Sequence, residues 1–114
     1  MAVERIVPNL PAQDSRDGEC FFAQVLGLET AMALDFITTY RSASGALISV
    51  LAGDPSGLHP DYSVGVDDVD ACLARAQAEG VEIVYGPTDE PWGVRRFFAR
   101  DPLGKIANIV EHRN

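Results

Sequence analysis

The chain repeats itself, and that limits its folds more than any other feature. Ala23-Gln24-Val25-Leu26-Gly27-Leu28-Glu29 recurs as Ala76-Gln77-Ala78-Glu79-Gly80-Val81-Glu82, 53 positions on, and the same offset carries Asp14 onto Asp67. Further along, Arg41, Gly45, Ser49 and Val50 match Arg100, Gly104, Asn108 and Ile109 at an offset of 59. The extra residues are assigned to Pro87-Thr88-Asp89-Glu90-Pro91, a Pro- and acid-rich stretch where a loop insertion costs least. The expectation is one module used twice.

Each half reads as strand, helix and three strands. A strand over residues 4–10 or 62–66 leads to a helix that Asp14 caps in the first half and Asp67 or Asp68 in the second. In the second helix Val69, Cys72, Leu73 and Ala76 form one apolar stripe. Gly27 and Gly80 end the two helices as left-handed residues. Strands follow over 29–34, 36–41 and 46–51, then over 81–85, 94–100 and 105–111. Ser42-Ala43-Ser44-Gly45 and Asp101-Pro102-Leu103-Gly104 close the last two strands of each half as hairpins. The modules are thus about 1–53 and 61–114, joined by a linker at 54–60. The fold class is α+β, two tandem βαβββ modules making a curved mixed sheet around a cavity, paired in a dimer. A four-stranded sheet with one helix covers only one face, so the other faces a cavity, the natural ligand site.

Composition narrows the partners. Seventeen acidic against nine basic residues give a net charge of -8. Nucleic acid and anionic membrane are poor partners for such a chain. No run is long and apolar enough for a membrane span, and Met1-Ala2-Val3-Glu4-Arg5 does not open a signal peptide. Cys20 and Cys72 lack metal or redox spacing and read as reduced, half-buried helix residues of a cytoplasmic protein.

Val7-Pro8-Asn9-Leu10-Pro11-Ala12-Gln13-Asp14, the Phe21-Phe22 to Gly27-Leu28 helix end, Val66-Asp67-Asp68-Val69-Asp70 and Phe97-Phe98-Ala99-Arg100-Asp101-Pro102-Leu103-Gly104 together resemble the vicinal oxygen chelate superfamily of glyoxalases, bleomycin-resistance proteins and extradiol dioxygenases. The Pro-Asn-Leu-Pro opening and Glu90-Pro91-Trp92-Gly93 look most like its bleomycin-resistance branch, small acidic dimers that trap an antibiotic without chemistry. Enzymes of the superfamily hold a divalent metal on the first and last strands of each module, mostly through His and Glu. The resemblance puts those positions at Pro8, Ser49, Asp61 and Asn108, a poor donor set for any common divalent ion. No metal and no other cofactor is expected. His59 either swings toward Asp61 or is a solvated loop residue, and His112 reads as a surface residue.

With Ser49 and Asn108 facing inward, alternation and hairpin pairing bring Phe36, Thr38, Tyr40, Arg95 and Phe97 to the same face, with Asp61, Ser63 and Gly65 on the fifth strand. Trp92, the one tryptophan, either stacks a ligand ring at the groove mouth or plugs a barrel end or interface. Phe36, Tyr40 and Phe97 serve as ligand wall or core. Arg95 and Arg96 point to opposite faces, so at most one reaches the cavity. Asp61 attracts a cationic ligand or is a solvated strand start. The leading expectation is a homodimer that binds and sequesters an aromatic, peptide-like antibiotic or natural product through Trp92, Phe36, Tyr40, Thr38, Ser49, Asp61, Arg95, Phe97 and Asn108. The rivals are a metal-dependent lyase or dioxygenase of the same superfamily, using Asp61, His59 or Asn108, and an accessory domain whose cavity is packed core.

Overall fold

The computed structural model describes residues 1–113 and shows a mixed α+β fold in two compact units, residues 7–59 and residues 1–6 with 60–114. The strands are β1 (Val3–Pro11), β2 (Glu29–Ala33), β3 (Ile37–Arg41), β4 (Leu47–Leu51), β5 (Tyr62–Val66), β6 (Ile83–Glu90), β7 (Val94–Arg100) and β8 (Ile106–His112). A π-helix, Cys20–Val25, lies between β1 and β2, and helix α1, Val69–Ala78, lies between β5 and β6. β1 crosses from one unit to the other.

In the unit of residues 7–59 the strand order is β2-β3-β4-β1, with β1 parallel to β4 and the rest antiparallel. In the other unit it is β5-β8-β7-β6, with β5 parallel to β8, and the first residues of β1 beside β5. Each unit therefore closes a parallel pair across the ends of its module, as the duplication requires.

The second unit packs one sheet face on α1. Asp68 caps that helix, its carboxylate accepting the Ala71 N–H at 3.0 Å, while Asp67 accepts the Ala2 N–H at 2.7 Å. The stripe Val69, Cys72, Leu73 and Ala76 meets Val64, Val66, Phe97, Ala99 and Ile109. Phe97, completely buried, fills the centre. Burying such a ring is worth about 1.5–3 kcal/mol. Gly80 has φ +73° and Gly27 φ +72°, the left-handed ends expected of both helices.

The first helix departs from expectation. Asp14 does not cap it: its carboxylate accepts the Arg16 N–H at 2.8 Å and pairs with the Arg16 guanidinium at 2.9 Å, closing a local turn. The helical segment begins only at Cys20, is one widened turn, and has no side-chain cap. Cys20 is exposed, against the expected half burial, and Cys72 is half-buried. The acid-rich stretch also differs, since β6 runs through Pro87 to Glu90 and leaves only a short turn at residues 91–93.

Candidate functional site

Register decides which side chains meet. Both hairpins close with five residues, the Ser42 N–H bonding the Ala46 carbonyl at 2.8 Å and the Asp101 N–H bonding the Lys105 carbonyl at 2.8 Å. Four-residue closure was the expectation, and the extra residue slips each pairing by one. Ser49 therefore sits opposite Thr39 rather than Thr38, and Asn108 opposite Phe98 rather than Phe97. A one-residue slip turns every side chain of a strand to the other face.

Five expected site residues move accordingly. Phe97 is core against α1. Arg95 lies on that same face, its Nε donating to Asp70 at 3.0 Å, and it pairs with Asp89 at 3.4 Å. The Arg95 guanidinium holds the Asp70 carboxyl below the usual carboxylate range. Tyr40 is buried against Phe22 of the π-helix, ring centroids 5.4 Å apart. Thr38 is on the Tyr40 face and lines a polar cleft of about 460 Å³ with Asp14, Ser15, Arg16 and Asp35. Phe36 precedes β3 and is half-buried, its carbonyl accepting the Ala52 N–H at 2.7 Å.

The residues expected at the metal positions are not all register partners. Asn9, not Pro8, is in register with Ser49, and Ser63, not Asp61, with Asn108. Pro8 is exposed where Asn9 is buried. Asp61 spends its carboxylate on the Ile106 N–H at 2.8 Å, fastening the start of β5 to β8. The His59 Nε2 lies 3.2 Å from the Asn9 carbonyl. Among the described residues no three His, Cys, Asp or Glu side chains converge on a point. Two amides and two hydroxyls at the paired strand positions carry no charge and no soft ligand, so this donor set does not fit the divalent ion of the related enzymes.

The second unit's face opposite α1 carries an ordered set of groups instead. Ser63, Asn108, Phe98 and Tyr85 are neighbours across β5, β8, β7 and β6, and Gly65, Val110, Arg96 and Thr88 form the next row. The Asn108 Nδ2 donates to the Ser63 Oγ at 3.0 Å, and the Tyr85 and Phe98 rings stack at 4.8 Å. Arg96, 3% exposed, donates from Nε to Glu90 at 2.7 Å, and the same carboxylate accepts the Tyr85 hydroxyl at 2.9 Å. The Arg96 guanidinium also lies 4.9 Å from the Trp92 ring, 4.8 Å from Phe98 and 5.4 Å from Tyr85. Trp92 thus lies in the turn between β6 and β7 and lends one face to Arg96. Sequence reasoning missed Arg96, Phe98 and Glu90. The signal for Phe98 was Ile109: the apolar neighbour of Asn108 had to face the stripe of α1, and only the odd register sets Phe97 beside it.

In the first unit the corresponding face holds Asn9, Ser49 and Thr39, with the Thr39 and Ser49 hydroxyls 2.7 Å apart. Both units therefore present hydroxyl and amide groups in register on their first and last strands. The fold and these strand pairs define a class: a two-module βαβββ protein whose first and last strands carry uncharged polar residues at a matching register position. The chain belongs to the glyoxalase/bleomycin resistance protein/dioxygenase superfamily, whose family model matches residues 8–107. No curated protein sequence matches the chain. Among solved structures, a Legionella pneumophila protein described as NAD-dependent benzaldehyde dehydrogenase is similar, with a TM-score of 0.79, 16% identity, and coverage of 95% of this chain and 99% of that one. A methylmalonyl-CoA epimerase in complex with methylmalonyl-CoA gives 0.70 at 19% identity, covering 97% and 96%. A Vibrio splendidus member of the superfamily gives 0.65 at 18% identity, covering 94% and 97%. These likenesses establish the fold. The bleomycin-resistance branch is not singled out by them, and no helix among the described residues is long and apolar enough to cross a membrane.

Proposed function

We propose that the chain is a metal-independent binding protein that sequesters an aromatic, peptide-like small molecule, an antibiotic or related natural product, as a cytoplasmic homodimer serving resistance or biosynthesis. One observation carries the reading. Asn9 with Ser49, and Ser63 with Asn108, put uncharged hydrogen-bonding groups at the strand positions where related enzymes hold a metal, and the second pair abuts Phe98 and Tyr85. Amides and hydroxyls orient a ligand without drawing a divalent ion, and neighbouring rings supply apolar contact. Asn108 and Ser49 are the polar contacts in this reading, and Trp92 is the ring contact.

The test is a titration of Trp92 emission with a panel of aromatic peptide antibiotics in the presence of a chelator, each ligand being recovered for mass measurement. Saturable quenching with an unchanged ligand is expected. A flat response, or conversion of the ligand once a divalent metal is restored, overturns the reading. Followed by calorimetry, Trp92→Ala weakens binding about two- to tenfold, the worth of one ring contact.

A further inference from the structure

The row Gly65–Val110–Arg96, next to Ser63–Asn108–Phe98, has a second cation at its Gly65 end. Arg5 lays its side chain across Gly65, so closely that a Cβ at that glycine would stand 2.5 Å from the guanidinium carbon, 2.7 Å from Nε and 2.8 Å from Cγ. Gly65 follows Ser63 on the same face, about 7 Å along the strand. Its missing side chain is what lets an arginine lie against the sheet, one row from Ser63 and Asn108. Among the described residues the Arg5 guanidinium makes one ion pair, a long one of 3.8 Å to its neighbour Glu4, and its side chain is 31% exposed. Its hydrogen-bonding capacity is almost unspent.

Asn108 has the opposite deficit. It is 8% exposed; its Nδ2 is satisfied by Ser63, and its Oδ1 is buried with no partner. Turning the amide over does not help, because the orphan then becomes the NH2 group. A buried amide oxygen without a donor is costly, so a stable protein keeps one where a ligand supplies the donor. In neighbouring rows of one sheet face, then, stand an unspent cationic donor and an unsatisfied neutral acceptor. His112, two pleats beyond Asn108 on the same face of β8, reports on the spot. Shielding of its ring lowers its pKa, the Arg5 charge lowers it further, and Glu4 opposes both.

We infer that Arg5, Asn108 and Ser63 anchor a carboxylate whose adjacent carbon bears an N–H, the end group of an acylated amino acid or peptide. The carboxylate pairs with the guanidinium, the N–H donates to the Asn108 Oδ1, and the aromatic side chain points along the row toward Tyr85 and Trp92. A phosphate would find one cation where it needs several donors, and a metal ion would be repelled by Arg5. The inference rests on the binding reading above and names the ligand end that the same face takes.

The test titrates N-acetylphenylalanine, its neutral carboxamide, and 3-phenylpropanoate (which lacks the N–H) into the full chain and into Arg5→Gln. Calorimetry gives affinity, and the ring signals of His112 give its titration, with His59 as the second histidine for reference. The acid is expected to bind at least tenfold tighter than either analogue and to raise the His112 pKa, because an anion beside an imidazole favours its charged form. Arg5→Gln brings the acid down to the affinity of the amide without moving the thermal midpoint. Equal binding of acid and amide, or an acid that binds while His112 titrates unchanged, overturns the anchor. If aromatic peptides still quench Trp92 in that case, the binding reading stands and only the anchor is wrong. If no aromatic ligand of any kind binds, the binding reading falls and takes the anchor with it.

Discussion

Phe97 and Phe98 are adjacent, both fully buried, and serve different faces of one strand. Phe97 fills the centre of the packing between α1 and its sheet, touching the cluster of Val66, Val69 and Ala99. Phe98 lies against Tyr85 and Arg96 on the other side. The two rings therefore anchor separate packings on the two faces of β7. Phe97→Ala leaves a ring-sized void beside α1 and lowers unfolding free energy by about 3–5 kcal/mol, read from urea denaturation. A loss below about 1 kcal/mol would show that Phe97 is not the centre of that core. The charge of Arg96 is neutralised by Glu90 at 2.7 Å and shared among three rings, so Arg96 holds the turn bearing Trp92 in place.

Most of the elements were legible in the sequence, and the errors have one physical cause each. β5 and β7 begin and end where the flanking turns place them, and α1 runs from its Asp68 cap toward Gly80. The faces of β3 and β7 could not be read from those strands themselves, because nearly every residue of Val94–Arg100 is buried and no alternation survives. Face assignment then hung on turn length, and one uncounted residue at Ala46 and at Lys105 misplaced Phe36, Thr38, Tyr40, Arg95 and Phe97 together. The first helix failed differently. An aspartate at matching repeat positions looks like the same cap twice, but Arg16 lies two residues after Asp14 and captures its carboxylate, whereas Asp68 has no such competitor. The two aspartates should accordingly respond differently. Asp68→Ala uncaps α1 and costs about 1 kcal/mol in urea unfolding. Asp14→Ala loosens a surface turn and leaves the far-ultraviolet helical signal unchanged. Equal helix loss in both variants would restore the symmetrical reading.

At the scale of the whole molecule, charge sets the response to solvent. Its acidic excess, 17 against 9, meets a surface on which Asp70, Asp89, Arg95, Arg113 and Glu111 are tied into exposed ion pairs. Salt acts on these in opposite senses: it weakens the pairs and relieves the repulsion of the net charge. Exposed pairs are worth about 0–1 kcal/mol each and partly cancel, while the repulsion of -8 is summed over every unpaired acid. Repulsion wins, so added salt stabilises the protein at pH 7. Near the isoelectric point of about 4.5 the repulsion is gone and salt no longer helps. Below that, Asp70 and Asp101, lowered first by Arg95 and by Tyr62 respectively, and Glu111, lowered first by Arg113, lose their folded-state advantage as pH falls through their depressed values. At the alkaline end Tyr62 is pushed up to about 12 from 10.0 by burial and by its 2.8 Å hydrogen bond to Asp101. The unfolded chain ionises first, so this contribution is whole below pH 10 and drains away as pH climbs toward 12. Thermal midpoints at low and at moderate potassium chloride, taken across pH 3 to 11.5, are expected to rise with salt at neutral pH and to show both flanks, with Tyr62→Phe shrinking the alkaline one, to which buried Tyr40 also contributes. A midpoint that falls with salt at pH 7 would mean that the ion pairs around Asp70 outweigh the net charge, and that stability here is built locally at the end of α1 rather than spread over the acidic surface.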